Sequence, residues 1–160
     1  MKLEALSQKV VQELIKRNLI LSTAESCTGG WIAKQITDIS GSSQVFIGGV
    51  VSYSNQMKEK WLGVKSGTLQ KFGAVSAETI HEMLVGIQQA TDSDWAIAVS
   101  GVAGPSGGSP EKPVGTVFIG WRFRGQEVVT RFQFSGSREE IRKKSVETAL
   151  QFLVDSDFGL

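Results

Sequence analysis

The chain has 160 residues and one cysteine, Cys27, which excludes an intramolecular disulfide and a Cys-x-x-Cys metal site. Its formal net charge of +1 gives no reason to expect nucleic acid or an anionic membrane as a partner. With 41% hydrophobic and 21% charged residues, the composition is that of a soluble globular protein, read as one domain over residues 1–160 with room for a substantial core.

Met1 to Leu6 has no unbroken apolar stretch of the signal-peptide kind, and no apolar run approaches the ~20 residues needed to span a bilayer. A cytoplasmic protein is therefore expected. Leu3, Leu6, Val10 and Leu14 recur at helical spacing with charged residues between them, which predicts an amphipathic first helix. Leu19 to Thr23 reads as the first strand, and a second helix is expected after Ser26. Gly41-Ser42-Ser43 reads as a loop. Val45 to Tyr53 is apolar almost throughout, so a central strand is expected there. Asn55 to Leu62 reads as a short helix, followed by a loop through Gly63, Gly67 and Gly73. The next helix is capped by Ser76, with Val75 and Ile80 as a hydrophobic staple and Ile80, Met83, Leu84 and Ile87 on one face. Asp94 to Val99 is a third, buried strand. Ser100 to Pro113 carries four glycines and three prolines and is read as irregular. Val114–Phe123 and Val128–Phe134 flank Arg124–Glu127 as a β-hairpin. Ser137-Arg138-Glu139-Glu140 is a capping box that opens the last helix. The sum is an α/β domain: a mixed, mostly parallel sheet, helices on both faces, and a late antiparallel hairpin. No repeat, low-complexity tract or linker interrupts it.

Three segments at strand ends can carry chemistry. The first is Ala24-Glu25-Ser26-Cys27-Thr28-Gly29-Gly30. Two glycines at a helix start are unusual, because each costs roughly 1 kcal/mol against alanine in a helix interior. They suggest that something approaches the backbone closely. A hydroxyl or thiol beside free helix N–H groups can have its anion stabilised. The segment alone leaves open whether Ser26 or Cys27 is a nucleophile, or Ser26 a helix cap and Cys27 a packing residue. The second is Tyr53-Ser54-Asn55-Gln56-Met57-Lys58. Tyr53 ends a strand and Lys58 lies one turn into the next helix, so both can face the end of the sheet, where open α/β sheets bind ligands. The only histidine, His81, lies about 100° around its helix from Ile80. That makes it a surface residue and argues against a Ser-His-Asp triad, and the segment alone leaves open a serine–lysine arrangement with a neutral lysine, or Tyr53 as a packing residue and Lys58 as an ordinary solvated helix lysine. The third is Ser100-Gly101-Val102-Ala103-Gly104-Pro105-Ser106-Gly107-Gly108. A glycine-rich loop at a strand end can cradle phosphate with backbone N–H groups. No Gly-Lys-Ser/Thr follows, so it is not an ATP-binding P-loop, and no helix follows, so it is not the dinucleotide fingerprint. Arg138, or Arg142 one turn further on, can complete a phosphate site.

Taken together, Ala-Glu-Ser-Cys-Thr-Gly-Gly at 24–30, Tyr-Ser-Asn-x-x-Lys at 53–58, Ser-Gly-Val-Ala-Gly-Pro-x-Gly-Gly at 100–108, Lys-Pro-Val-Gly-Thr-Val at 112–117 and Gly-Ser-Arg at 136–138 resemble the CinA C-terminal domain family. Five blocks in order over nearly the whole chain make the resemblance specific. It implies the stand-alone form, without the N-terminal domain of longer CinA proteins. It implies hydrolysis of nicotinamide mononucleotide to nicotinate mononucleotide and ammonia, within pyridine nucleotide recycling, with no metal and no cofactor. It implies a serine nucleophile with tyrosine and lysine nearby, matching Ser26, Tyr53 and Lys58. Thr28, Gly29, Gly30, Ser100, Gly101, Gly104, Gly107, Gly108 and Arg138 are the expected substrate-binding residues. Lys58 is expected to take the serine proton, directly or through the Tyr53 hydroxyl, and N–H groups near Thr28 and Gly29 to meet the oxyanion. A homo-oligomer, with a dimer favoured, is also expected. A thiol nucleophile at Cys27 and a non-catalytic nucleotide-binding module are the rival readings.

Overall fold

In the computed structural model, which describes residues 2–160, eleven elements follow in order. They are α1 (Leu3–Arg17), β1 (Leu21–Glu25), α2 (Trp31–Thr37), β2 (Phe46–Val51), α3 (Asn55–Leu62), α4 (Ser66–Phe72), α5 (Ala77–Thr91), β3 (Trp95–Gly101), β4 (Thr116–Phe123), β5 (Gln126–Gln133) and α6 (Arg138–Asp155). A short 3-10 turn, Ser42–Gln44, precedes β2. The strands form one sheet in the order β2-β1-β3-β4-β5. β1 pairs in parallel with β2 and β3, while β3–β4 and β4–β5 are antiparallel, so only β4 is reversed and four of the five strands point the same way. This is the single-domain mixed α/β sheet that the alternation of elements predicts.

Each face of the sheet has its own apolar layer. Val10, Val11 and Leu14 of α1, Ile32 and Ile36 of α2, and Val146, Ala149 and Leu150 of α6 pack together on one face. Ile80, Met83, Leu84 and Ile87 of α5, with Leu62 and Leu69, cover the other. β3 is buried along nearly its whole length because it has neighbours on both edges and helices on both faces.

Several boundaries differ from the sequence reading, each for a local reason. β1 starts two residues later than expected, because Asn18 turns left-handed (φ 54°) and Leu19 donates its N–H to Leu14 O, so both belong to the end of α1. β2 is an edge strand, not a central one; its residues alternate between half-buried and exposed, and β1 is its sole neighbour. An apolar run reports hydrophobicity, not the number of neighbours. The loop expected through Gly63, Gly67 and Gly73 contains α4: Gly67 sits in the helix's first turn, where few intrahelical bonds depend on it, and Gly73 is its C-cap. The hairpin turn is shorter than the expected four residues: Arg124 and Gly125, with φ 47° and 88°, make a two-residue connection. The predicted caps are present. Ser76 Oγ accepts the Thr79 N–H at 3.2 Å, and Ser137 and Glu140 form both bonds of a capping box. No described helix is long and apolar enough to cross a membrane.

Candidate active site

From β1 the chain passes to β2 on one side and returns to β3 on the other. The carboxyl ends of these three parallel strands therefore meet at a switch point, where an α/β sheet leaves a crevice. Ser26 follows β1 directly, with its N–H held by Val99 O of β3 at 3.0 Å. Beyond β2 the chain turns through Ser52 and Tyr53, and Ser54 caps α3 by accepting the Met57 N–H at 3.1 Å. Lys58 and Leu62, four residues apart, are the buried residues of α3. This aims the lysine under the end of β1.

Lys58 is 1% exposed. Its Nζ lies 2.9 Å from Ser26 Oγ, 2.8 Å from Ser52 O and 3.5 Å from Tyr53 O. None of these partners is a carboxylate. Burial pushes the ammonium from its usual 10.5 down to about 8, against a small opposing effect of Cys27. With its donors turned to two carbonyls, a neutral Lys58 presents its lone pair to the Ser26 hydroxyl. The pair opens into a cavity of about 310 Å³, also lined by Tyr53, Asn55, Arg138 and the Ser100–Gly104 loop. Among the described residues Lys58 and Arg138 are its two charged lining residues, and no carboxylate lines it. A larger cavity of about 470 Å³ between β4, β5 and α6, against Trp121, Phe132 and Phe152, carries no such pair.

The expected site residues separate into two groups. Ser26, Tyr53, Lys58, Ser100, Gly101, Gly104, Gly107 and Arg138 all line the cavity. Thr28, Gly29 and Gly30 do not; they lie in a separate depression with Trp31, Lys34 and Arg142. Gly29 and Gly30 serve the backbone, with φ of 62° and 94°, and their missing Cβ atoms leave room for Arg142 and Val51. The close approach that the two glycines implied is thus made by the chain's own side chains. Gly108 is also outside the cavity, packed against the Val114 backbone. Gly29 N–H closes a turn onto Ser26 O, whereas among the described residues the Cys27 and Thr28 N–H groups donate to no backbone carbonyl.

The tyrosine is placed differently from expectation. It is 59% exposed, and its hydroxyl accepts from Arg138 Nη2 at 3.0 Å; the contact to the lysine comes from its carbonyl. Arg138 also donates to Gly104 O at 2.8 Å, tying the glycine loop to the start of α6. Arg142 instead donates to Cys27 O and Thr28 O and lies over the Trp31 ring, which is a structural clamp outside the cavity. His81 faces the surface beside Glu127, away from the cavity.

The start of α2 does not receive the Ser26 or Cys27 anion. Its first-turn N–H groups, from Ile32 and Ala33, donate to the Glu25 carboxylate at 2.9 and 3.0 Å, and Thr28 Oγ1 donates to it at 2.6 Å. Burial, aided by the Glu25 charge, pushes the Cys27 thiol from 9.0 up to about 11, which keeps it protonated at neutral pH. Sequence reasoning missed Glu25 and Asn55. Both lie inside the motifs, but only the Gly30 cap, which offers no side chain, signals that α2 must be capped from elsewhere.

The CinA C-terminal domain family matches residues 3–156. The chain is 48% identical over 149 residues to the nicotinamide-nucleotide amidohydrolase PncC of Escherichia coli K12, covering 92% of this chain and 90% of that protein. It is 49% identical over 147 residues to a CinA-like protein of Thermotoga neapolitana, covering 91% of this chain and 36% of that longer protein. It thus spans about a third of the length of several curated relatives that it matches. The crystal structure of the competence/damage inducible protein CihA from Agrobacterium tumefaciens superposes with a TM-score of 0.94 at 41% identity, covering 97% of this chain and 95% of that one. The chain belongs to the CinA C-terminal domain family.

Proposed function

We propose that the protein is a serine amidase that converts nicotinamide mononucleotide to nicotinate mononucleotide and ammonia. The observation that carries this reading is the buried Ser26–Lys58 contact at 2.9 Å, at the mouth of a cavity without carboxylates. The near full-length match to a nicotinamide-nucleotide amidohydrolase supports the substrate.

Neutral Lys58 accepts the Ser26 proton as Oγ adds to the carboxamide carbon. The direct contact makes a relay through the Tyr53 hydroxyl unnecessary. The N–H group of Cys27, a residue that lines the cavity, is the candidate donor to the tetrahedral oxyanion, and a donor of this kind contributes about 10²–10³ in rate. As the C–N bond breaks, protonated Lys58 returns its proton to the departing ammonia. Water then adds to the acyl-serine with Lys58 as base, and the acid leaves as Ser26 is restored. The substrate's pyridinium charge favours the neutral lysine further. Arg138 and the Ser100–Gly107 loop hold the phosphate.

The test is ammonia release from nicotinamide mononucleotide by wild type and Ser26→Ala, with the product identified as the acid. Release by the wild type, lost in a folded variant, is expected. Release by both would remove Ser26 as nucleophile. Release by neither, with the nucleotide still raising Tm, would leave a binding module.

A further inference from the structure

Glu25 is 1% exposed and plays no part in the chemistry above. A buried carboxylate costs stability unless it is well paired, so its partners indicate what it is for. It has three: Oε1 accepts from Thr28 Oγ1 and Ile32 N, and Oε2 accepts from Ala33 N. These bonds close the loop 26–30 on itself, from the residue before the serine to the first turn of α2. The first-turn N–H groups of α2 cannot be capped from the cap position itself, since Gly30 there brings no side chain. The backbone of Glu25 faces the other half of the site. Its carbonyl accepts from Ser52 N at 2.9 Å and Ser52 Oγ at 3.4 Å, and Ser52 O in turn holds Lys58 Nζ at 2.8 Å. One residue thus anchors the turn that carries the hydroxyl and the strand end that carries the lysine's carbonyl partner.

We propose that Glu25 is the positioning residue of the Ser26–Lys58 pair. Its carboxylate sets the direction of Ser26 Oγ by pinning Thr28 and the start of α2, and it touches no substrate. The side chain of Thr28 belongs to the same device. The inference rests on Ser26 as nucleophile. Misplacing a nucleophile by a fraction of an ångström lowers the rate while leaving the binding cavity in place. In Glu25→Gln the amide oxygen can keep the two bonds at Oε1, but its NH₂ group then faces the Ala33 N–H, donor against donor.

The experiment is the rate at which a fluorophosphonate, which reports serine nucleophilicity without regard to the natural substrate, labels Ser26. Rates are normalised to folded protein. Glu25→Gln is expected to slow labelling about 10- to 100-fold, and to lower kcat for nicotinamide mononucleotide by a similar factor with KM within about twofold. Thr28→Val, which removes one bond and keeps the carboxylate, is expected to slow labelling severalfold, and Thr28→Ser to restore most of it. This pair decides the matter should Glu25→Gln fail to fold. Labelling of a folded Glu25→Gln or Thr28→Val at the wild-type rate would overturn the inference alone. An effect confined to KM would overturn it in favour of substrate contact by Thr28. An unaltered protein that shows no Ser26-dependent labelling would overturn the reading of Ser26 itself.

Discussion

Lys58 shows what a buried lysine costs the protein that holds it. With a pKa of about 8 in place of 10.5, the folded state holds the proton less tightly than the unfolded chain by about 3 kcal/mol. The unfolded chain binds more protons between those values, so stability from this group rises with pH through that window. The whole penalty is present below about pH 8, where both states are charged. Lys58→Met keeps a long apolar stem and removes the charge, while leaving Ser52 O without its partner, a loss of about 1–3 kcal/mol. Denaturant midpoints are expected to favour Lys58→Met at pH 7, with the advantage shrinking by about 2 kcal/mol by pH 10 as the wild-type lysine discharges. Activity is expected to be lost in Lys58→Met, and wild-type kcat/KM to climb with pH towards a plateau above about 8. A stability difference that does not change with pH would show that the lysine is not desolvated. The strand–turn–helix pattern placed Ser26 and Lys58 at sheet ends, and the resemblance of the motif blocks to the CinA C-terminal domain family singled them out. Glu25 was not legible. Its role depends on where Ile32 and Ala33 point their N–H groups, and no residue type in the motif announces that.

At the level of elements, the placement of α3 depends on α5. Gly86 lies at the crossing, where an added Cβ would come within 1.9 Å of Leu62 O. Alanine gains about 1 kcal/mol of helix propensity, but overpacking costs about 1–3 kcal/mol and here meets backbone that cannot rotate away. Gly86→Ala is therefore expected to lower Tm, and also to reduce activity, because α3 carries Lys58. Circular dichroism melts and ammonia release check both; a variant of unchanged Tm and rate would mean that the helices part without cost. The same crossing explains why a glycine interrupts an otherwise strong amphipathic pattern. Hydrophobic periodicity predicted α5 correctly and could not say what its glycine faces. The edge position of β2 was equally hidden, since strand order is a property of the assembled sheet.

Across the whole molecule the two helical layers are joined through one sheet, and Trp121 of β4 is central to one layer. It stacks on Phe152 at 4.1 Å, meets Phe132 edge-on, and donates its indole N–H to Ala149 O at 2.9 Å. Trp121→Ala is expected to destabilise by about 3–5 kcal/mol, measured as a fall in the urea midpoint. The Ser26 site sits at the carboxyl ends of β1, β2 and β3, away from this indole. The folded fraction is therefore expected to keep its specific activity. Loss of specific activity in step with stability would mean that the α6 layer governs the site, through Arg138 and Arg142.

The sequence by itself determined the α/β class, most of the helices with their caps, and the motif blocks that carry Ser26 and Lys58. These follow from periodicity, capping chemistry and turn residues that act over a few positions. Only the tertiary structure decided which strand lies at the edge, which glycines line the cavity and which serve the backbone, that the Tyr53 hydroxyl belongs to Arg138, and that a buried carboxylate occupies the helix start. Each of these is a contact between residues far apart in the chain or across a turn. Such contacts are decided by which atoms the assembled sheet brings within bonding distance, and local pattern carries no record of that.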